Sequence, residues 1–124
     1  MDIQEIAGLV SAQVLYEPEA PRSADITSAV AADLMSEVMV GTADGSLIIT
    51  GLMNPQVIRT AEMVNAAAVL FVRGKKIPDQ VMSLASDSSV AVMRTDLMMF
   101  EACGVLFREG LKPGRRYISC PEGE

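Results

Sequence analysis

Apolar positions in the middle of the chain form two short continuous runs with a helical stripe between them. The runs Ser46–Thr50 and Ala67–Val72 are short and nearly continuous in apolar residues, which is typical of strands. Asn54-Pro55 predicts a helix start, because Asn is a good N-cap and Pro suits the first helical position. Apolar residues then recur at helical spacing: Val57, Ile58, Ala61 and Val64. The pattern predicts a βαβ unit with parallel strands and a right-handed crossover.

Similar patterns lie on both sides of this unit. Asp2 and Glu5 have the spacing of a capping box at the start of an amphipathic segment. Outside the central unit the predicted helices are Asp2–Val10, a short one from Pro78 and Asp96–Glu109, and the predicted strands are Ala12–Tyr16 and Ser89–Met93. Residues 26–34 fit either a helix or a strand of small residues. We favour a strand through Ala31, followed by a short helix from about Leu34 to Val40.

The alternation of strands and helices predicts an α/β fold with three layers and a mainly parallel sheet of about four to five strands with flanking helices. Residues 1–111 form the predicted domain and residues 112–124, with two prolines and two glycines, the C-terminal tail. The helix Asp96–Glu109 is apolar on nearly every side, with Glu101 as its one acid expected to be partly buried. Such a helix is either buried centrally or covered at a subunit interface.

Composition excludes several classes of function. Ten Lys and Arg stand against sixteen Asp and Glu, giving a net charge of −6, and no basic run is present. This argues against binding to nucleic acids or anionic membranes, because both depend on basic patches. No apolar run is long enough to span a bilayer and no basic leader is seen, so we expect a cytoplasmic protein.

The chain has no histidine. This removes His-based acid–base catalysis, His-activated nucleophiles and most transition-metal sites. The two cysteines, Cys103 and Cys120, form no metal-ligand spacing, and Cys103 is expected to be a small buried residue. We expect neither a metal nor a cofactor.

Three predicted strands end in similar polar pairs. Ligands of open α/β sheets bind at the carboxyl ends of strands, and the helix N-termini that follow favour anions. A small anionic or nucleotide-like ligand is therefore expected at this edge. The predicted ligand-binding residues are Thr50, Gly51, Asn54, Arg73, Gly74, Arg94 and Thr95. The alternative is that these are ordinary capped, solvated loops, and neither a P-loop nor a GxGxxG motif is present.

The run LIITGLMNPQVIRTAEMVNAAAVLFVRGKKIPDQVMSLA, followed by a strand and TDLMMFEACGVLF, resembles DRTGG-domain proteins from about Asp2 to Leu111. The specific part is the order of the Thr-Gly, Asn-Pro, Arg-Gly and Thr…Phe-Glu-Ala motifs. Such domains resemble the N-terminal domain of the phosphocarrier serine kinase/phosphatase, the middle domain of some phosphotransacetylases and a module placed between CBS domains in regulated pyrophosphatases. The resemblance implies an α/β fold and a regulatory or oligomerising role without a defined reaction. Met53-Asn54 stands where the family's Asp-Arg pair would be expected, so a site that depends on that pair is not carried over.

These observations predict a non-catalytic regulatory or ligand-sensing domain that self-associates, as a dimer, and binds its ligand at the strand ends. The alternative is a protein-interaction adaptor without a small-molecule ligand. An enzyme that uses Glu101 or Cys120 is the least favoured hypothesis, because the usual catalytic partners are missing.

Overall fold

The computed structural model describes residues 1–20 and 25–114. Within them the helices are α1 (Ile3–Leu9), α2 (Met35–Met39), α3 (Gln56–Met63), α4 (Asp79–Ser86) and α5 (Met99–Arg108). The strands are β1 (Gln13–Tyr16), β2 (Ser28–Ala31), β3 (Leu47–Thr50), β4 (Ala68–Phe71), β5 (Ala91–Arg94) and β6 (Lys112–Pro113). The ambiguous segment 26–34 therefore contains a strand and leads into a short helix, as favoured.

The strands form one sheet in the order β1-β5-β4-β3-β2-β6. All neighbouring strands are parallel except β1, which runs antiparallel to β5 at one edge. The α/β class and the mainly parallel sheet are confirmed. The described residues give six strands rather than four to five, because Lys112–Pro113 pairs with β2 beyond the predicted domain end at residue 111.

Two apolar clusters pack on opposite faces of the sheet. Ile49, Leu70 and Met93 point to the face covered by α1 and α5. Ile48 and Val69 point to the other face, which α2, α3 and α4 cover. Successive residues of a strand alternate between faces, so strands that are apolar throughout supply both clusters. The predicted three-layer arrangement is confirmed.

Three of the predicted helix starts can be compared with the structure. The capping box of α1 is present: Glu5 N–H donates to Asp2 Oδ1 at 2.8 Å and Asp2 N–H donates to Glu5 Oε1 at 3.3 Å. Asn54 Oδ1 accepts the N–H of Gln56, the first residue of α3, at 2.9 Å, but Pro55 is the N-cap residue, so the predicted places of Asn54 and Pro55 are each wrong by one residue. Pro78 has an extended ψ of 147° and precedes α4, so its predicted place inside the helix is wrong by one residue.

The last helix is shorter and more exposed than predicted. It begins at Met99 rather than Asp96, because Thr95 Oγ1 donates to Val10 O at 2.7 Å and accepts Leu97 N–H at 3.2 Å within a turn. Only one side of α5 is buried, which excludes the first of the two predicted alternatives, a central buried helix, and the second, a subunit interface, stays a prediction. Glu101 is exposed rather than partly buried, and Cys103 is half-buried. Burial raises the pKa of the Cys103 thiol.

Candidate functional site at the strand ends

The carboxyl ends of β3, β4 and β5 lie side by side. Thr50 is in register with Phe71, and Phe71 is in register with Arg94. The pairing continues beyond the strands, since Val72 N–H donates to Thr50 O at 3.0 Å and Thr95 N–H donates to Phe71 O at 2.9 Å. The three predicted polar pairs therefore meet at one edge of the sheet, as expected for parallel strands.

Asp33, which the sequence analysis did not select, lies at the centre of this edge. Its Oδ1 accepts the N–H of Gly51 at 2.9 Å and the hydroxyl of Thr50 at 3.1 Å. Its Oδ2 lies 2.5 Å from Arg73 Nη2. We call the four residues Asp33, Thr50, Gly51 and Arg73 the Asp33 clasp. It joins the ends of β2, β3 and β4 through one carboxylate.

Gly51 is required by the position of the Arg73 side chain. A Cβ atom added at Gly51 would lie 2.5 Å from Arg73 Nε and 2.6 Å from its Cζ. The guanidinium therefore lies directly against the backbone of Gly51. A residue with a side chain at position 51 would displace it, because real Cβ atoms do not make contacts this short.

The turn after β4 holds Arg73 in an unusual backbone conformation. Arg73 has a φ of +76° and Gly74 a φ of +67°. A left-handed conformation costs a non-glycine residue about 1–2 kcal/mol. Two backbone bonds hold the turn: Arg73 N–H donates to Leu97 O at 2.8 Å and Gly74 N–H donates to Thr95 O at 2.9 Å. The turn is thus fixed to the segment that follows β5.

Arg94 binds the same turn from the next strand. Its Nε donates to Lys75 O and its Nη2 to Gly74 O, both at 2.9 Å. Its Nη2 is 3.7 Å from Asp96 Oδ1. The guanidinium thus holds the turn after β4 through carbonyl oxygens. A groove of about 390 Å³ begins beside it, lined by Gln13, Leu15, Lys76, Ile77, Asp79, Met82 and Arg94.

The electrostatics of the clasp favour an ionised carboxylate. The pKa of Asp33 lies below its ordinary value, chiefly because the Gly51 N–H bond stabilises the charged form. Desolvation opposes this, whereas the Thr50 hydroxyl and the Arg73 guanidinium lower the pKa further. The side chain of Asp33 is 46% exposed and that of Arg73 is 35% exposed. Solvent and small ions can therefore reach the clasp.

The seven predicted residues fall into three groups. Thr50, Gly51 and Arg73 belong to the Asp33 clasp, and Gly74, Arg94 and Thr95 form a second group of contacts around the turn after β4. Asn54 is separate, because its side-chain oxygen bonds to the start of α3. The hydroxyls of Thr50 and Thr95 are buried and occupied by bonds within the protein.

Asp33 was missed because it lies in a segment whose secondary structure was ambiguous from its sequence. The available signal was its place directly after a short run of small residues, at the carboxyl end of a fourth parallel strand. Glu101, proposed as a base, instead accepts the N–H of Met98 at 3.1 Å. Cys120 lies outside the described residues.

The described residues contain neither a cluster of metal ligands nor a helix that could span a membrane. In residues 1–20 and 25–114, no group of three Cys, Asp or Glu side chains comes together in a way that could hold a metal ion. In the same residues, no helix combines the length and the apolar character that crossing a membrane requires.

Comparison with known proteins gives a family and a fold. No curated protein matches the chain. Among solved structures, it is similar to the CBS and DRTGG domains of the regulatory region of Clostridium perfringens pyrophosphatase, complexed with its activator diadenosine tetraphosphate. The TM-score is 0.68 at 15% identity, covering 90% of this chain and 47% of that one. The chain thus spans about half the length of that regulatory region. The DRTGG domain model matches residues 5–108, and the chain belongs to the DRTGG-domain family.

Proposed function

We propose that this chain is a non-catalytic regulatory domain that senses a small anionic or nucleotide-like ligand at the Asp33 clasp. The observation that carries the proposal is the donor set around the Asp33 carboxylate. A backbone N–H, a hydroxyl and a guanidinium converge on one anionic group. The same kinds of donor bind the phosphates and carboxylates of ligands. Hydrogen bonds from Arg and backbone N–H groups to an anion are charge-assisted and therefore stronger than hydrogen bonds between neutral groups.

In this proposal the Asp33 carboxylate occupies the position of the ligand's anion. The ligand's phosphate exchanges with it and takes the N–H of Gly51 and the guanidinium of Arg73. Asp33 lies in the short connection between β2, which ends at Ala31, and α2, which begins at Met35, so its release frees the start of that helix. Ligand binding thereby alters the position of Leu34 and Met39. These exposed apolar residues at α2 form a surface that a partner protein can contact.

The structural neighbour supports the choice of ligand class. The regulatory region of that pyrophosphatase is complexed with a dinucleoside polyphosphate, which carries several negative charges. The similarity between that region and this chain is one of fold. We therefore choose nucleotides and dinucleotides as the first ligands to test.

We further propose that the domain acts in the cytoplasm as a homodimer. Cys103 is a free thiol in the described residues, which agrees with a reducing compartment. Two phenylalanines exposed on α5 supply an apolar surface for a second copy.

A thermal-shift panel tests the ligand proposal. The purified chain is heated with ATP, ADP, diadenosine tetraphosphate, inorganic triphosphate and phosphorylated sugars. A ligand at about 100 times its dissociation constant adds about 2.7 kcal/mol, enough to raise the unfolding midpoint by several degrees. Arg73→Gln should abolish the shift. Arg59→Gln, an exposed arginine on α3, is the matched control and should retain it.

The alternative function is an adaptor that binds a partner protein without a small-molecule ligand. The apolar residues Leu34, Met39 and Val40 are exposed around α2 and favour it. A panel without any shift, together with partner capture that Met39→Glu abolishes, would support the adaptor and contradict the sensor.

A further inference from the structure

Helix α5 carries two exposed aromatic side chains. The chain has three phenylalanines, and Phe71 is fully buried in the core. Phe100 is 89% exposed and Phe107 is 69% exposed. Two large aromatic side chains on one short helix form an apolar patch of the kind that marks an interaction surface.

The exposed face of α5 carries its aromatic, glycine and charged residues at regular helical spacings. Phe100, Gly104 and Phe107 follow at spacings of four and three residues, so they lie along one stripe. Glu101 and Arg108 are also exposed and lie along the opposite flank of the same face. Ala102 and Leu106 are buried on the inner side. The outer face thus has an aromatic flank, a charged flank and a glycine between them.

This order is self-complementary for antiparallel packing. A two-fold axis in the contact plane brings like flanks of two antiparallel helices together. With the axis at Gly104, position 100 lies opposite position 107, and position 101 lies opposite position 108. Each aromatic contact and each Glu–Arg pair then occurs twice. We propose that a second copy of this chain packs its α5 antiparallel against the first, with the two helices crossing at Gly104.

Gly104 fits the crossing point. It is exposed, and a Cβ atom added there would meet no atom within 4 Å among the described residues. Nothing in the described part of the single chain therefore explains a glycine in the middle of a helix, where it lowers stability relative to Ala. At a helix crossing, a missing side chain allows the two backbones to approach closely.

The charges select the direction of packing. In a parallel pair the two-fold axis runs along the helices and brings unlike flanks together, so Glu101 and Arg108 would lie against the aromatic flank of the other copy without a charged partner. In the antiparallel pair each Glu101 faces an Arg108 of opposite sign. Within one chain, these side chains have only exposed local partners: Met98 N–H for Glu101 and Glu109 for Arg108. Both can turn toward a second copy at little cost, because exposed pairs are weak.

Apolar surface continues beside the helix. A groove of about 210 Å³ runs from Cys103 and Phe107 to the sheet at Ala29 and Ala31. This extends the contact beyond one helix, which alone is about 15 Å long. Stable dimers bury about 800 Å² on each partner, so the contact needs this added surface.

Charge reversal tests the arrangement, which rests on the proposed self-association and is independent of ligand sensing. Glu101→Arg and Arg108→Glu should each weaken the dimer at least tenfold in sedimentation equilibrium. An equimolar mixture of the two variants should restore a one-to-one heterodimer, because every pair across the axis is then of opposite charge. Glu19→Arg, an exposed position on the chain between β1 and β2, is the control and should leave the dimer unchanged.

A second variant separates the interface from the fold. Gly104→Ala should raise the thermal unfolding midpoint of the dilute monomer, because Ala favours the helix more than Gly does. It should still weaken the dimer, because the added methyl group keeps the two helices apart at their crossing point. If single reversals dissociate the dimer but the mixture does not reassemble, the antiparallel arrangement is wrong. If the dimer persists in both reversals, the α5 interface is wrong and self-association stands. A wild-type chain that remains monomeric at high concentration overturns both.

Discussion

Asp33 and Arg73, forty residues apart in the chain, form an ion pair across the ends of three parallel strands, with Oδ2 and Nη2 2.5 Å apart. The carboxylate also accepts bonds from Gly51 and Thr50. One side chain from the β2–α2 connection therefore orders the edge where ligands of open α/β sheets bind.

Removing the charge of Asp33 should destabilise the fold modestly. We expect Asp33→Asn to lower the free energy of unfolding by about 1–2 kcal/mol, since it weakens charge-assisted bonds at a half-exposed site. Urea unfolding at pH 7 measures this. Asp44→Asn, at an exposed turn, is the matched control and should change stability by less than about 0.5 kcal/mol. Equal effects in both variants would argue against a structural role for the clasp.

The contribution of Asp33 should depend on pH. Its pKa in the folded state lies below the ordinary value of 3.8, so it stabilises the fold fully above that value. The contribution of Asp33 to stability is lost as pH falls from about 5 through its folded-state pKa, because its carboxylate takes up a proton at a higher pH in the unfolded chain than in the folded one. The difference between wild type and Asp33→Asn in urea unfolding should therefore shrink between pH 5 and pH 3. A difference that stays constant across this range would contradict the ionised clasp.

Filling the space at Gly51 should force Arg73 away. We expect Gly51→Ala to cost about 1 kcal/mol or less, because the end of the partly exposed Arg73 side chain can move aside and the main loss is its ion pair with Asp33. In an Arg73→Ala background the same change should cost clearly less, because the clashing side chain is absent. A double-mutant cycle by urea unfolding measures this coupling. Gly8→Ala in α1, where an added Cβ meets no atom within 4 Å in the described residues, should be neutral or stabilising.

The buried hydroxyl of Thr95 should also matter. It bridges the end of α1 at Val10 O and the turn at Leu97 N–H. We expect Thr95→Val to cost about 1–3 kcal/mol, since the shape is kept while the buried bond to Val10 O and the half-buried bond from Leu97 N–H are lost. Chemical unfolding provides the value. A neutral substitution would mean that water or a shifted backbone satisfies both groups.

The sequence predicted the strands well because their apolar runs are short, buried on both faces and bounded by turns. It predicted that Thr50-Gly51, Arg73-Gly74 and Arg94-Thr95 share an edge, because parallel strands end together. It did not predict how the arginines are used. Arg73 and Arg94 bind a carboxylate and two carbonyl oxygens of the chain itself, and these contacts depend on the register between strands.

The start of α5 could not be read from the sequence for a similar reason. Thr95 and Asp96 have the composition of a helix cap, but Thr95 bonds to Val10, eighty-five residues earlier. Such a long-range bond leaves no local pattern. Strand β6 was missed because two residues with a proline carry no periodicity.

The central claim is that an anionic ligand exchanges with Asp33 at the clasp, and calorimetric titration with diadenosine tetraphosphate tests it most directly. We expect wild type to bind, Arg73→Gln to bind at least tenfold more weakly, and Asp33→Asn to bind more tightly because a competing negative charge is gone. Arg59→Gln should match wild type. Unchanged affinity in both clasp variants, or weaker binding in Asp33→Asn than in wild type, would contradict the account.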